Sequence, residues 1–213
     1  MRFLILILFS YLLGSVPFGL LIARYHGKDL RKIGSGNIGA TNAGRVLGKK
    51  WGFICLILDS LKGLVPMVIA GFSVSDDPSA GALWLWLGVG CAAVLGHIYP
   101  VYLRFRGGKG VSTSLGMVLG LFPYYTVAGI VSFVVWGCLV LLWHYVSLAS
   151  ILAAVVFPIS LIVAVMTADT WTFTNLWPLV LVALVMPVLV VVRHAENIRR
   201  LIEGTESKVL EGK

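Results

Sequence analysis

The sequence predicts an all-α integral membrane protein, a bundle of seven transmembrane helices with its N terminus outside and its C terminus in the cytoplasm. Of its 213 residues, 59% are hydrophobic and only 12% are charged, and the mean hydropathy is +0.96. The apolar residues form runs that can cross about 30 Å of hydrocarbon, and the basic residues gather in short polar segments between these runs. One soluble core cannot bury so much apolar surface, which excludes a soluble globular domain.

Three spans are predicted in the first half of the chain, at residues 3–23, 51–72 and 82–103. The first begins with a basic residue and an apolar run, as a signal peptide does. No small-residue cleavage site follows it, so we interpret it as a span. Two ionisable residues and a proline interrupt the second span.

The apolar stretch at residues 111–143 is long for one helix and short for two. Pro123 and the two tyrosines after it predict a turn, and hence two short or tilted segments. Residues 148–166 and 177–192 are the last two spans. The tail after them is predicted to be helical as far as Glu203 and to stop at Gly204.

The distribution of charge predicts the orientation of the seven spans. With the N terminus outside, four polar segments lie on the cytoplasmic side: residues 24–50, 104–110, 144–147 and 193–213. That side holds every Lys and Arg except Arg2 and Lys62, whereas Asp76, Asp77 and Asp169 lie on the other side. This asymmetry follows the positive-inside rule. We expect residues 1–213 to form one polytopic membrane domain.

The net charge of +8 raises the question of a nucleic-acid partner. Because the basic residues flank apolar runs, we expect lipid headgroups and anionic substrates as partners, and no nucleic acid. Cys55, Cys91 and Cys138 lie inside apolar runs without metal-ligand spacing. They are predicted to be small buried side chains, and no metal site is expected.

The glycine loop, residues 105–114 with the sequence FRGGKGVSTS, is the motif around which the chain is organised. Gly107, Gly108 and Gly110 allow backbone N–H groups to approach an anion, Lys109 adds a charge, and Thr113 adds a hydroxyl. A helix starting at residue 111 would add its N-terminal N–H groups. The loop lacks Walker A spacing. A phosphate cradle and a membrane turn facing anionic headgroups both fit this pattern.

Residues 31–45 form a second glycine-rich segment. It contains four neutral hydrogen-bonding residues, Ser35, Asn37, Thr41 and Asn42. Arg45 adds a guanidinium fork that can bind phosphate bidentately. A flexible cytoplasmic loop would explain the glycines but not this density of polar groups, so the segment is a second candidate anion site.

Asp59 and Lys62 lie about one helical turn apart within an apolar run. An ionisable pair at this depth faces the bundle interior, either as a functional site or as a structural pair that supports a loop. We interpret it as support. His97, near a predicted helix end, fits a general acid or base and also a structural, hydrogen-bonded histidine.

Two further polar sites follow in the second half. Ser147 lies in a short connection without a histidine and aspartate arrangement, which favours a binding hydroxyl over a nucleophile. In the tail, His194 and Asn197 have i,i+3 spacing, as do Asn197 and Arg200. A positive-inside anchor would explain the arginines but not the other two residues.

Together these motifs resemble those of the bacterial PlsY family of acyl-phosphate-dependent glycerol-3-phosphate acyltransferases. The resemblance lies in residues 34–42 (GSGNIGATN), in GHxxP at 96–100 followed by FxGGKGVxT at 105–113, and in RHxxNIxRLxxGxE at 193–206. The patterns GSxPxG at 14–19 and LDxLKG at 58–63 also match. The likeness extends from about residue 11 to 208, and the motifs occur in the family's order.

The resemblance implies a seven-helix fold in the bacterial inner membrane, with the active site on the cytoplasmic side. It implies transfer of a fatty acyl group from acyl-phosphate to the 1-hydroxyl of sn-glycerol 3-phosphate, giving lysophosphatidic acid and phosphate. The expected partners are therefore acyl-phosphate, sn-glycerol 3-phosphate and membrane lipid. We expect a monomer and no cofactor.

The resemblance also assigns roles to individual residues. Implied catalytic residues are Ser35, Arg45, Lys109, His194 and Asn197. Implied substrate- or phosphate-binding residues are Asn37, Thr41, Asn42, Gly107, Gly108, Gly110, Thr113 and Ser147. The chain departs from the family pattern at Ala43-Gly44, where family members often have a bulkier apolar residue, and in a tail that continues past Ser207.

Acyl-phosphate is a mixed anhydride with a good leaving group, so positioning and charge stabilisation can suffice for the transfer. No Ser-His-Asp or His-x-x-x-x-Asp spacing is visible. We therefore predict that no acyl-enzyme forms and that a donor phosphate oxygen takes the hydroxyl proton. The alternatives are a small membrane transporter of organophosphate or anions, which predicts polar residues through the depth of the bundle, and a noncatalytic lipid-binding scaffold.

Overall fold

The structure is a computed structural model that describes residues 1–168 and 171–209, and within these residues it contains helices and no strands. The helices, in order, are α1 (Arg2–Ser15), α2 (Phe18–Tyr25), α3 (Ala40–Leu47), α4 (Lys49–Gly71), α5 (Ala80–Ile98), α6 (Val111–Gly120), α7 (Thr126–Trp143), α8 (Val146–Thr167), α9 (Phe173–Arg193) and α10 (Ala195–Ile202). A 3₁₀ turn, Val101–Leu103, follows α5. The predicted all-helical class is confirmed.

Six segments within the described residues are long and apolar enough to cross a membrane. They are Arg2–Tyr25, Lys49–Gly71, Ala80–Leu103, Thr126–Trp143, Val146–Thr167 and Phe173–Arg193. The predicted count of seven is not confirmed, because α6 has only 10 residues. At 1.5 Å per residue it spans about 15 Å, roughly half of a hydrocarbon core.

The predicted turn near Pro123 is confirmed, since α6 ends at Gly120 and α7 begins at Thr126. The first span, in contrast, is not continuous. Val16 is extended, with φ −64° and ψ 117°, as is typical of a residue before proline. The break between α1 and α2 leaves the Val16 carbonyl outside the helical ladder, where Lys62 Nζ donates a hydrogen bond to it at 2.9 Å.

Two predicted loops contain helix. The polar segment at residues 24–50 includes α3, so Thr41, Asn42 and Arg45 lie on a helix rather than in a flexible loop. Ser147, expected in a connection, lies in the first turn of α8. Asp169, which the charge pattern assigns to the outer side, lies outside the described residues. The tail helix ends at Ile202, one residue before the predicted position.

By its contacts the chain divides into two compact units. The first unit comprises Met1–Asp77 and Trp84–Leu121. Here α4 and α6 pack closely through glycines: a methyl group on Gly63 would overlap the Thr113 carbonyl, and one on Gly116 would overlap the Ser60 carbonyl. Small residues at a crossing let two membrane helices approach through their backbones.

The second unit comprises Pro78–Leu83 and Phe122–Lys213. Buried Tyr125 at the start of α7 donates a hydrogen bond to the Leu179 carbonyl of α9 at 2.8 Å and contacts the Phe157 ring of α8 edge-on. Much of the surface of α7 remains apolar and exposed. Cys138 is exposed on this helix, contrary to the prediction, whereas Cys55 in the first unit is buried as predicted.

Candidate active site

The glycine loop folds back onto the C-terminal end of α5. The Gly107 N–H donates to the Ile98 carbonyl at 3.1 Å, and the Gly108 N–H donates to the His97 carbonyl at 3.0 Å. The last carbonyls of a helix have no intrahelical partner, and the loop supplies one for each of these two. These two N–H groups are therefore bonded to the end of α5, and a role of the glycines in binding an anion stays a prediction.

The two glycines allow a contact that no side chain would permit. A methyl group on Gly107 would overlap the His97 carbonyl, and one on Gly108 would overlap the His97 ring at Nε2. Gly110 has φ +87°, which favours glycine, and directly precedes α6. Half-buried Lys109 thus lies between a fixed pair of glycines and a helix N terminus whose first N–H groups have no intrahelical acceptor.

This packing predicts the effect of adding one methyl group. Gly108→Ala is expected to lower the free energy of unfolding by about 1 to 3 kcal/mol, because the His97 ring or the loop must move. Gly137→Ala is the matched control, since no described atom lies within 4 Å of its added methyl, and it is expected to be neutral or slightly stabilising. Unfolding temperature in detergent and kcat/KM measure both effects. Wild-type values for Gly108→Ala would show that the contact is loose.

The sequence predicted that Thr113 lines the loop surface, but in the structure it does not. It is fully buried on α6, against α4, and its hydroxyl has no hydrogen-bond partner within the described part of the chain. A phosphate outside the loop cannot reach this oxygen in the structure. The Thr113 carbonyl lies against Gly63, so the backbone of this residue takes part in the close packing of the two helices.

A buried charged network lies behind the loop. The Lys62 ammonium is 2.9 Å from an Asp59 carboxylate oxygen, and the two side chains are 1% and 2% exposed. The same oxygen is 3.8 Å from His97 Nδ1. The pair therefore connects the break after α1, through Lys62, with His97 beneath Gly108. This arrangement supports the interpretation of the pair as structural support.

In residues 31–45 the side chain of Asn42 organises the backbone around it. Its amide nitrogen donates to the carbonyls of Leu30, Ile33 and Asn37, at 3.1, 3.1 and 2.8 Å. Its amide oxygen accepts from the Ser35 N–H at 2.9 Å. The side chain is 1% exposed, so the structure gives Asn42 the role of holding the segment's shape.

The other candidate residues of this segment lie around that anchor. Ser35, Asn37, Thr41 and Arg45 are all half-buried. Asn37 Oδ1 accepts from the Gly39 N–H at 2.9 Å, directly before α3. Because Asn42 brings the backbone of Ser35 onto α3, it links Ser35 to the helix that also bears Arg45.

In the second unit, the buried carboxylate of Glu206 joins three side chains, and we call these four residues the Glu206 cluster: Ser147, Asn197, Arg200 and Glu206. Ser147 Oγ and Asn197 Nδ2 donate to one carboxylate oxygen, at 2.9 and 2.7 Å. Arg200 Nε donates to the other at 2.7 Å. The Glu206 carboxylate thus brings together two predicted site residues, Ser147 and Asn197, which lie 50 positions apart in the sequence.

The electrostatics of the cluster favour an ionised Glu206. Burial raises the pKa of this carboxyl, but the hydrogen bonds from its three donors outweigh burial and hold the pKa below its usual value. His194 is also buried, and its Nδ1 lies 2.7 Å from the Val190 carbonyl. A carbonyl only accepts, so Nδ1 bears a proton in this contact.

Sequence reasoning placed Glu206 in a motif but gave it no role. The Glu206 N–H also donates to the Arg200 carbonyl at 3.1 Å, after a turn at Gly204 with φ +69°. The signal in the sequence was an acid shortly after a glycine that ends a basic helix. Its partner Ser147, 59 residues away, is not visible from spacing.

The fold defines a class of protein, an all-helical integral membrane protein. The chain matches the family described as glycerol-3-phosphate acyltransferase over residues 4–204. A glycerol-3-phosphate acyltransferase of Aquifex aeolicus is 44% identical, covering 98% of this chain and 100% of the relative. One of Geobacter sulfurreducens is 45% identical, covering 96% of each chain.

Two solved structures are similar along nearly their whole length. Both are of PlsY (YgiH), an integral membrane glycerol 3-phosphate acyltransferase, at 42% identity. The glycerol 3-phosphate form has a TM-score of 0.85 and covers 98% of this chain and 96% of that chain. The lysophosphatidic acid form has a TM-score of 0.82, with 98% and 95% coverage.

The chain therefore belongs to the glycerol-3-phosphate acyltransferase family, and it is a membrane acyltransferase. The predicted PlsY resemblance is confirmed. An enzyme, rather than the transporter or the lipid-binding scaffold, is the class that these relatives support.

Proposed function

We propose that this protein transfers a fatty acyl group from acyl-phosphate to the 1-hydroxyl of sn-glycerol 3-phosphate, giving lysophosphatidic acid and phosphate. The observation that supports this most is the 42% identity, over 98% of the chain, to PlsY in its glycerol 3-phosphate and lysophosphatidic acid forms. The cationic, amide and hydroxyl groups described above suit two phosphate-bearing substrates. The reaction would be a first step of phospholipid synthesis, with acyl-phosphate as donor.

The proposed catalytic residues are Ser35, Arg45, Lys109, His194 and Asn197. In the first unit, Arg45 on α3 and Lys109 in the glycine loop supply cationic charge for phosphate. In the second unit, Asn197 is oriented by its bond to Glu206, and His194 by its bond to the Val190 carbonyl. The remaining proposed binding residues are Asn37, Thr41, Ser147, Gly107, Gly108 and Gly110. Some of them contribute by shaping the backbone.

The chemistry needs positioning more than a protein nucleophile. The 1-hydroxyl oxygen of glycerol 3-phosphate bonds to the donor's carbonyl carbon, the bond from that carbon to the phosphate oxygen breaks, and inorganic phosphate leaves. The hydroxyl proton passes to a phosphate oxygen of the donor. Fixed cations and amide donors stabilise the charge on the phosphate and on the carbonyl oxygen. An acylated serine or cysteine, found after incubation with donor alone, would contradict this scheme.

The proposal includes a topology. In a single polytopic domain acting as a monomer, α6 would be a seventh, short membrane helix beside the six long spans. An N terminus outside then places the polar segments and the tail on the cytoplasmic face of the bacterial inner membrane. The distribution of Lys and Arg supports this orientation. Accessibility of single introduced cysteines on either side of the membrane would test it.

Phosphate release by the purified protein in detergent tests the reaction. We expect release with palmitoyl-phosphate only when glycerol 3-phosphate is present, with an equal amount of lysophosphatidic acid formed. Palmitoyl-CoA is the control donor and is expected to give no product. Product from palmitoyl-CoA but not from palmitoyl-phosphate would overturn the proposed donor and leave the acyltransferase class unchanged.

Lys109→Ala tests the proposed phosphate contact. Loss of one charged hydrogen bond costs about 1.5 to 3 kcal/mol, so we expect kcat/KM to fall roughly 10- to 150-fold with the unfolding temperature nearly unchanged. Lys49→Ala, an exposed lysine at the start of α4, is the matched control and should keep wild-type kinetics. Wild-type kcat/KM in Lys109→Ala would show that another group binds the phosphate.

A further inference from the structure

A cavity of about 480 Å³ lies in the first unit, lined by Arg24, Arg31, Tyr102, Leu103, Arg104 and Arg106. None of these residues belongs to the proposed catalytic or substrate-binding groups. Four of the six are arginines, whose planar guanidinium groups bind phosphate bidentately. The volume falls in the range of small-ligand sites, and it exceeds what one inorganic phosphate fills.

The positive charge of this cavity is mostly uncompensated. Arg31 pairs with Asp29 at 2.6 Å. Over residues 1–168 and 171–209, no ion pair with a carboxylate involves Arg24, Arg104 or Arg106. Like charges that converge without counter-charge repel one another, so binding of an anion there is favoured.

The cavity lies at the ends of two candidate membrane spans. Arg24 is next to the last residue of the span Arg2–Tyr25, and Arg104 directly follows the span Ala80–Leu103. Residues at such positions lie near the lipid headgroups. This placement holds whichever side of the membrane the cavity faces.

The aromatic side chains near the arginines favour a lipid over a free anion. Tyr102, which is 56% exposed, is part of the cavity lining. Tyr25 and Phe105, which are 85% and 59% exposed, are adjacent in sequence to cavity residues. Exposed aromatic side chains at span ends occupy the interface between headgroups and acyl chains. A ligand that has both phosphate and acyl chains satisfies the arginines and these rings together.

We propose that the arginine cavity binds the headgroup of an anionic phospholipid of the surrounding membrane. Its lining residues are not among those assigned to acyl transfer, although Arg31 and Arg106 belong to the two glycine-rich segments that contain some of them. Its expected effect is to retain an anionic lipid on the purified protein and to raise its unfolding temperature.

Native mass spectrometry of the detergent-solubilised protein tests the proposal, with dioleoyl phosphatidylglycerol as the probe and dioleoyl phosphatidylcholine as the zwitterionic comparison. We expect tighter binding of phosphatidylglycerol, and a roughly hundredfold loss of that affinity in the double variant Arg24→Gln, Arg104→Gln, since each of the two charged contacts contributes about one order of magnitude. The double variant Lys49→Gln, Lys50→Gln removes the same charge at the start of another span, outside the cavity, and should bind within twofold of wild type.

Several results would overturn the proposal. They are wild-type phosphatidylglycerol affinity in the arginine variant, an equal loss in the lysine variant, and equal affinity of the wild type for the two lipids. Full displacement of the lipid by a modest excess of inorganic phosphate would assign the cavity to free phosphate instead. If the double variant does not fold, Arg104→Lys keeps the charge but removes the guanidinium fork, and unchanged affinity there excludes bidentate binding.

Discussion

Asp59→Asn is expected to lower the free energy of unfolding by about 3 to 5 kcal/mol, the cost of leaving a buried charge without its partner. The Lys62 ammonium, 1% exposed and 2.9 Å from the carboxylate, would retain only neutral partners such as the Val16 carbonyl. The unfolding temperature in detergent and the yield of folded protein measure the effect.

The exposed ion pair of the first unit provides the control. Asp29 and Arg31 lie 2.6 Å apart, but water reaches both side chains. Exposed ion pairs contribute little to stability, so Asp29→Asn is expected to leave the unfolding temperature unchanged. Equal losses in Asp29→Asn and Asp59→Asn would show that burial does not decide the value of these pairs.

A double replacement separates stability from positioning. Buried ion pairs are often replaced by apolar residues of similar volume without loss of stability, so Asp59→Leu with Lys62→Met is expected to recover most of the stability that Asp59→Asn loses. It does not restore the carboxylate that lies 3.8 Å from His97. If this carboxylate positions His97 beneath Gly108, kcat/KM stays low. Full recovery of both the stability and kcat/KM in the double variant would show that the Asp59–Lys62 pair contributes to stability alone.

Hydropathy and charge patterns predicted the membrane spans because both reflect local composition. They missed α3, because four of the eight residues in its sequence ATNAGRVL, namely Thr, Asn, Gly and Val, are weak helix formers. Its buried Ala43 belongs to a cluster that includes Cys55 of α4, so tertiary packing stabilises this helix. The turn near Pro123 and a short segment before it were predicted, but α6 has only 10 residues, so a seventh full span is not confirmed.

The candidate site was predicted by residue type and less well by contact. Glycines at 107 and 108 indicated a close approach, but the partner is the end of α5 rather than an anion. Thr113 indicated a donor, but its side chain is fully buried and its carbonyl packs against Gly63 of α4. A motif shows which polar groups are present, whereas long-range packing decides which of them face a substrate.

The tail offers the second large effect, because Glu206 accepts three hydrogen bonds within the second unit. Glu206→Ala is expected to lower the free energy of unfolding by about 3 kcal/mol, since Arg200 and Asn197 would lose a buried charged acceptor. Activity should fall as well, because Asn197 and Ser147 lose the group that orients them. Unfolding temperature and the separate values of kcat and KM measure these effects.

Glu196→Ala is a control that shares a partner with Glu206. Glu196 lies 3.9 Å from Arg200, but its side chain is 83% exposed, so its loss is expected to change stability by at most about 0.5 kcal/mol. A drop as large as that of Glu206→Ala would indicate that Arg200 alone, and not the buried carboxylate, stabilises the tail.

Because the Glu206 carboxylate stabilises the cluster in its ionised form, we expect its contribution to stability to depend on pH. Its pKa in the folded protein lies below the ordinary value of 4.5, so the unfolded chain takes up this proton first as the pH falls. The stabilisation is therefore complete above the ordinary value and is lost as the pH falls through the folded-state pKa. The difference in unfolding temperature between wild type and Glu206→Ala should be constant near neutral pH and shrink below about pH 4.5. A difference that stays constant into strong acid would mean that the ionised form of Glu206 is not what stabilises the cluster.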